Sequence, residues 1–222
     1  MRLFAFFSIF FALLVPGFAE ARAPRANSEL SGAAVIREMN EAREHPQVYA
    51  NYLAALRSHF RGNVLVLPGG TLMRTHEGVA AIDDAIRFLQ HARPLPPFVA
   101  SSGMSHASAD HVREQADGAF GHGGADGSSP AARLNRYGNW SGRWGENISY
   151  GKSTARDIVI ALIVDDGLPG RKHRKNIFNP EFNYAGAAVG PHARYRTVCS
   201  IDFAAGYSER GPAPNESLLA RN

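Results

Sequence analysis

The sequence predicts an α+β domain in which helices cover a small, mostly antiparallel sheet. Three observations lead there. Segments with apolar residues at helical spacing dominate the first half of the chain, short apolar runs bounded by Pro and Gly stand between them, and two strand-like runs close the chain as a hairpin. A single domain accounts for all of them.

The first segment is not part of that fold. Residues 1–19 comprise Met1 and Arg2, the apolar stretch Leu3 to Val15, and then Pro16-Gly17-Phe18-Ala19, the pattern of a secretory signal peptide. The apolar stretch is shorter than the roughly 20 residues that a bilayer core requires. Small-residue sites at Ala19-Glu20-Ala21 and Ala21-Arg22-Ala23 place the expected cleavage between 19 and 23, with no transmembrane segment left afterwards. The mature protein is therefore expected to be secreted or periplasmic, with residues 20–32 as a linker.

Ala33 to Arg43 sets Val35, Ile36 and Met39 on one helical stripe, and Pro46 permits a second helix through Tyr49, Leu53 and Leu56. Asn63 to Leu67 is an apolar strand candidate, stopped by Pro68-Gly69-Gly70. Thr75 is the expected N-cap of a helix over 76–91, where Val79, Ile82, Ile86 and Leu89 recur at helical spacing and Pro94-Leu95-Pro96-Pro97 ends the pattern. Another helix is expected over 103–117. Gly121 to Gly127 is too Gly-rich for regular structure, and Ser129, Pro130 and Gly138 mark the cap, first position and stop of a short helix. Trp140 to Ser149 reads as a loop leading into a strand. Thr154 with Asp157 opens a very apolar helix, Ile158 to Val164, that should be buried, and Gly167 to Lys172 reads as a loop. Tyr184–Val189 and Tyr195–Phe203 form the hairpin across Gly190-Pro191-His192-Ala193, with Tyr195, Thr197, Cys199, Ile201 and Phe203 alternating onto one face. Residues 208–222 are expected as a polar tail.

Composition narrows the function. The one cysteine among 222 residues, Cys199, excludes intramolecular disulfides, a cysteine zinc finger and an iron–sulfur cluster. The 24 basic residues are interspersed with 20 acidic ones and form no long run, which argues against nucleic acid as a partner. No Gly-x-Ser-x-Gly elbow supports a serine nucleophile, and Ser149 is a neighbour of an acid rather than part of such a motif.

Of the nine histidines, His59, His76 and His91 fall on exposed helix ends or faces. His106 and His111 are five apart and so point to different faces of one helix, with His106 the one able to look inward. The stronger candidates lie between apolar segments: His122 in Phe120-Gly121-His122-Gly123-Gly124, Glu146 in Trp144-Gly145-Glu146-Asn147-Ile148, and His173 in Gly170-Arg171-Lys172-His173-Arg174-Lys175-Asn176-Ile177. A buried Glu has to be paired, hydrogen-bonded or protonated, and two imidazoles from remote loops can supply the partners. Two His and a carboxylate with an open position also suit zinc or a similar divalent ion. On the residues alone, a hydrogen-bond network that pins loops is an equal alternative.

These segments carry a resemblance. Gly145-Glu146-Asn147-Ile148, His173-Arg174-Lys175-Asn176-Ile177 and Phe120-Gly121-His122, the last followed by Asp126-Gly127-Ser128-Ser129-Pro130, resemble the CAP superfamily of cysteine-rich secretory, antigen five and pathogenesis-related proteins. The bacterial secreted branch looks nearest, over 33–207, with Asn40 and Arg43 resembling the family's opening segment. The resemblance implies a three-layer α-β-α sandwich and a cleft lined by two His and two acids, which binds divalent metal in some members. His122, Glu146 and His173 match that set. For the second acid the chain offers Asp165-Asp166, of which Asp165 falls better, reaching a metal directly or through a water. The implied metal is zinc first, with calcium or magnesium also possible. The segment 61–97 and the missing disulfides depart from the animal members. Two functions follow from the resemblance: a binding module for a lipid, glycan or protein, which is favoured, and a metal-dependent hydrolase, peptidase or esterase, with Glu146 or Asp165 as general base.

Overall fold

Ser31 starts the fold: its side chain accepts from the Ala34 N–H and caps α1 (Gly32–Glu44). The computed structural model describes residues 30–66 and 72–211. The expected signal peptide, most of the expected linker, the Pro68-Gly69-Gly70 stop and the expected tail from 212 lie outside the described residues. The further elements are α2 (Pro46–Arg57), β1 (Phe60–Arg61), β2 (Val64–Val66), β3 (Leu72–Arg74), α3 (Val79–His91), β4 (Val99–Ala100), α4 (Ser102–Gln115) and α5 (Pro130–Tyr137). They continue as β5 (Gly138–Tyr150), α6 (Ala155–Val164), α7 (Lys172–Ile177), β6 (Tyr184–His192) and β7 (Arg196–Glu209).

The central sheet has the order β4-β6-β7-β5, antiparallel except for the short β4–β6 pair. Side-chain alternation along β7 sends its residues into two different layers. Cys199, Ile201 and Phe203 join Ala185 and Ala187 of β6 against Val35, Ile36 and Met39 of α1 and Ile158, Val159, Leu162 and Ile163 of α6. Each such large aliphatic side chain stabilises the fold by about 1.5–3 kcal/mol when taken fully out of water. The opposite face receives α4 and α5, where Met104, Ala107, Leu134 and Ala204 form a smaller cluster. There α4 lies so close to β6 that a Cβ on Gly186 would stand 2.3 Å from the Met104 carbonyl carbon. The architecture is thus a three-layer α-β-α sandwich with a small, mostly antiparallel central sheet, flanked by a second three-stranded antiparallel sheet, β1-β2-β3.

Asn40 and Arg43 tie α1 to the loops around it. Asn40 exchanges hydrogen bonds with the backbone of Phe98 (3.2 and 2.8 Å), and the buried Arg43 guanidinium donates to the carbonyls of Pro96, Ile177, Asn179 and Phe182 while lying over the Phe98 ring. The segment 61–97 supplies β2, β3 and α3. No helix among the described residues is long and apolar enough to cross a membrane.

Several elements differ from expectation, each for a local reason. The third helix begins at Val79 rather than 76, because the amides of His76 and Glu77 donate to the Asp166 carboxylate and the chain turns at Gly78. Thr75 caps nothing there; its hydroxyl donates to the Asn63 carbonyl. Residues 140–149, expected as a loop leading into a strand, are strand throughout, with a bulge between Ser141 and Trp144 that uses Gly142 at φ 73. His173 sits in a short helix, α7, rather than in a loop. β7 runs two residues into the segment expected as tail, and the Glu209 carboxylate there accepts from the Ser101 hydroxyl and the Gly103 amide.

Candidate functional site

Glu146 enters the α4/α5 side of the sheet from β5, opposite Asp202 of β7. Its side chain is 1% exposed, and both oxygens are engaged. Oε1 accepts from His122 Nδ1 at 2.7 Å; Oε2 accepts from Arg133 Nη2 at 2.7 Å and from the Ser200 hydroxyl at 3.3 Å. A carboxylate can only accept, so the His122 proton lies on Nδ1. Arg133 is wholly buried in α5 and also donates to the carbonyls of Ser128 and His122, both at 3.2 Å. Beside this pair, Asp202 accepts from the Ser108 hydroxyl at 2.8 Å. Burial, and next the Glu146 charge, hold the Asp202 carboxyl well above the usual carboxylate range.

The Gly-rich loop that carries His122 is fixed from below. The Gln115 amide donates to the Gly121 carbonyl (2.6 Å) and to His111 Nε2 (2.6 Å), while its oxygen accepts from the Tyr150 hydroxyl (2.7 Å). Gly121 N–H donates to the Tyr150 oxygen in turn, and Asp126 closes the next turn by accepting from Ser128 N–H. His111, not His106, is the inward-facing histidine of α4: His111 is fully buried, whereas His106 is exposed beside the Tyr137 ring. The Gln115 amide below the loop, which the helix pattern placed one turn after His111, is what draws it in.

The second pair forms where α6 ends. Asp165 is the C-cap of that helix in the left-handed region (φ 54), a conformation short polar side chains tolerate. Its Oδ1 accepts from His173 Nδ1 at 2.7 Å and its Oδ2 from the His173 backbone N–H at 2.9 Å, so it also caps α7, whose own N-cap residue Arg171 makes no side-chain cap bond. Asp166 faces away, onto the amides of His76 and Glu77. Arg171 meets Glu77 in two short bonds (2.6 and 2.7 Å), and Glu77 also accepts from Gly167 N–H. The Arg171 side-chain bonds hold the Glu77 carboxyl down at about 2. Asn147 links the halves: it donates to the His173 carbonyl at 3.1 Å and accepts from Asn176 at 2.8 Å.

The four residues expected as one metal set thus occur as two acid–imidazole pairs. Among the described residues no group of three or more His, Cys, Asp or Glu stands placed to hold a metal ion. Glu146 and Asp165 each bond Nδ1 of their own histidine, and so stand behind the imidazoles rather than beside them as further donors. The atoms without a hydrogen-bond partner are Nε2 of His122 and of His173, on side chains 55% and 20% exposed. His59, His76 and His91 are exposed, and none is hydrogen-bonded to a member of either pair, although His76 lies against the neighbouring turn at Asp166 and Gly167. Arg133 escaped the sequence reading: its one available signal was a position four residues after a capping Ser on a short helix, too common to single it out.

The fold and site define an α-β-α sandwich protein bearing two carboxylate-oriented imidazoles. The chain belongs to the CAP (cysteine-rich secretory protein) family, whose model matches residues 36–203. It carries a single buried, free cysteine, Cys199, whose thiol burial pushes up. No curated protein matches the chain. Among solved structures it is similar to an extracellular protein containing a SCP domain from Bacillus anthracis, at 19% identity and TM-score 0.41 over 54% of this chain and 37% of that one. It is also similar to an outer surface protein from Borrelia burgdorferi, at 13% identity and TM-score 0.42 over 52% and 80% of the two chains. A third is a cysteine-rich secretory protein from Staphylococcus aureus, at 14% identity and TM-score 0.39 over 63% and 44%. The chain therefore spans well under two thirds of the Bacillus and Staphylococcus proteins.

Proposed function

We propose that this chain is a secreted binding module that meets its ligand, a lipid, glycan or protein, through the Nε2 atoms of His122 and His173. The carrying observation is the complete engagement of both acids. Glu146 is neutralised by the buried Arg133 and bonded by His122 and Ser200, and Asp165 holds the ring and the backbone N–H of His173. Each acid already holds a ring nitrogen of its own histidine, and this supports a role in orienting that imidazole, as carboxylates behind metal-binding histidines do. What is left is a lone pair on each Nε2, suited to a ligand hydroxyl or to a divalent cation, with zinc the best match for imidazole and calcium or magnesium poorer ones. Export is supported by the signal-like residues 1–19 and by membership in a family named for secretory proteins.

Zinc is the convenient probe of those atoms. Isothermal titration with zinc, calcium and magnesium on the wild type and on a His122→Ala/His173→Ala variant should show zinc heat that the double variant lacks. In the same preparation, hydrolysis of ester and peptide substrates should respond neither to zinc nor to a chelator. Equal heats in both proteins, or a chelator-sensitive hydrolysis abolished by His173→Ala in a folded protein, would overturn the proposal.

A further inference from the structure

Trp140 and Trp144 are the chain's two tryptophans, and the β5 bulge sets them side by side, ring centroids 6.2 Å apart at 63°. With Arg143, Asn176, Asn179 and Phe182 they wall a surface pocket of about 350 Å³, near the lower end of the range for small-molecule sites. Trp140 packs against the α4/α5 cluster, whereas Trp144 is 36% exposed. The Trp140 indole N–H is buried without an acceptor, an omission that folded proteins rarely leave unexplained. Asn176 donates to Asn147 and keeps its oxygen free, and Asn179 accepts from Glu181 N–H and keeps its amide hydrogens free. The pocket therefore offers an aromatic wall with one donor and one acceptor beside it. Arg143 is paired with Glu181 at 2.5 Å, so the pocket rim carries no net charge to select a charged occupant. The far wall is rigid: the buried Arg43 holds the carbonyls of Asn179 and Phe182.

We propose that this pocket is a subsite for a neutral sugar ring of a glycan. The C–H face of the ring covers the Trp144 indole, and its hydroxyl or acetamido groups exchange hydrogen bonds with Asn176 and Asn179. A purely apolar occupant would strip water from both amides and return nothing. The subsite shares no residue with the two acid–imidazole pairs, so it stands whether or not those pairs bind a ligand.

Because both tryptophans line the pocket, fluorescence excited selectively in tryptophan reports on it. Titration with tetra-N-acetylchitotetraose and with cellotetraose should give a saturable change with at least one of them. Asn179→Ala, which leaves both indoles in place, and Trp144→Ala, followed by titration calorimetry, should each weaken binding by about tenfold or more. His122→Ala/His173→Ala should leave the response intact. A response to the N-acetylated sugar alone would support the subsite and assign the acetamido group to the Asn176 and Asn179 amides. No response to either sugar up to about 10 mM, or full affinity in a folded Asn179→Ala protein, would overturn it.

Discussion

Arg133 carries more of the site than any residue the sequence singles out. It is fully buried, and it joins α5, the Ser128 carbonyl, the His122 carbonyl and the Glu146 carboxylate in one side chain. Removing one partner of a buried ion pair strands the other, at a cost of about 3–5 kcal/mol. Arg133→Met should therefore lose about that much stability in urea denaturation, and adding Glu146→Gln should restore part of it, because the uncompensated charge is gone. A single variant within about 1 kcal/mol of wild type would mean the pair is not structural. On the residues alone His122, Glu146 and His173 stand out as polar groups beside aromatic or aliphatic ones, and Asp165 only through the family resemblance; the fold buries Glu146 and Asp165 but leaves the His122 side chain 55% exposed. Arg133 and His111 do not stand out. An Arg on a short helix reads as solvated surface, and which of two histidines on α4 turns inward is decided by Gln115 and the loop above it.

At the scale of elements, the segment 61–97 acts as a clamp on the turn that carries Asp165 and His173. Glu77, just before α3, takes Gly167 N–H and the Arg171 guanidinium, Asp166 takes the amides of His76 and Glu77, and Asp84 of α3 pairs with Arg171 and Arg174. The Phe88 and Phe178 rings close the same contact, edge to face at 5.0 Å. The clamp is pH-sensitive with a definite sign. Glu77 titrates near 2 in the folded chain, below its value in the unfolded chain, so its contribution is present above the unfolded pKa of about 4.3 and fades as the pH falls towards 2. The group is largely exposed, so no more than about 1 kcal/mol is at stake. Urea midpoints of wild type and Glu77→Gln should differ at pH 7 and converge as the pH falls from about 5. A gap that stays constant would remove the ion pair as its source. The helix boundaries set by Ser129, Pro130 and Thr154 could be read directly, since a cap is a local device. The start of α3, the bulged strand β5 and the helix α7 could not, because each is fixed by a distant partner: Asp166, the β7 ladder and Asp165 in turn.

For the molecule as a whole, the sandwich brings a loop from one outer layer and the short helix α7 from the other to one edge strand. His122 arrives from the α4/α5 side and bonds Glu146; His173 arrives from the α6/α7 side and is held at its carbonyl by the next residue, Asn147. The alternation of β7 onto one face was legible, while the three-layer order came from the family resemblance; in the fold Cys199, Ile201 and Phe203 face one layer and the buried Ser200 and Asp202 the other. That the two acids would each be fully engaged was not legible, since sequence shows which groups are present and not how their lone pairs are shared. The account rests on the bonds from the His122 ring to Glu146 and from the His173 ring to Asp165, and one spectrum of the intact folded chain reads both: a long-range proton–nitrogen correlation of the histidine rings at neutral pH. It should show both rings carrying the Nδ1 proton that the carboxylates accept, with Nε2 signals that shift when zinc is added. Rings protonated at Nε2 alone, or Nε2 signals indifferent to zinc, would contradict it.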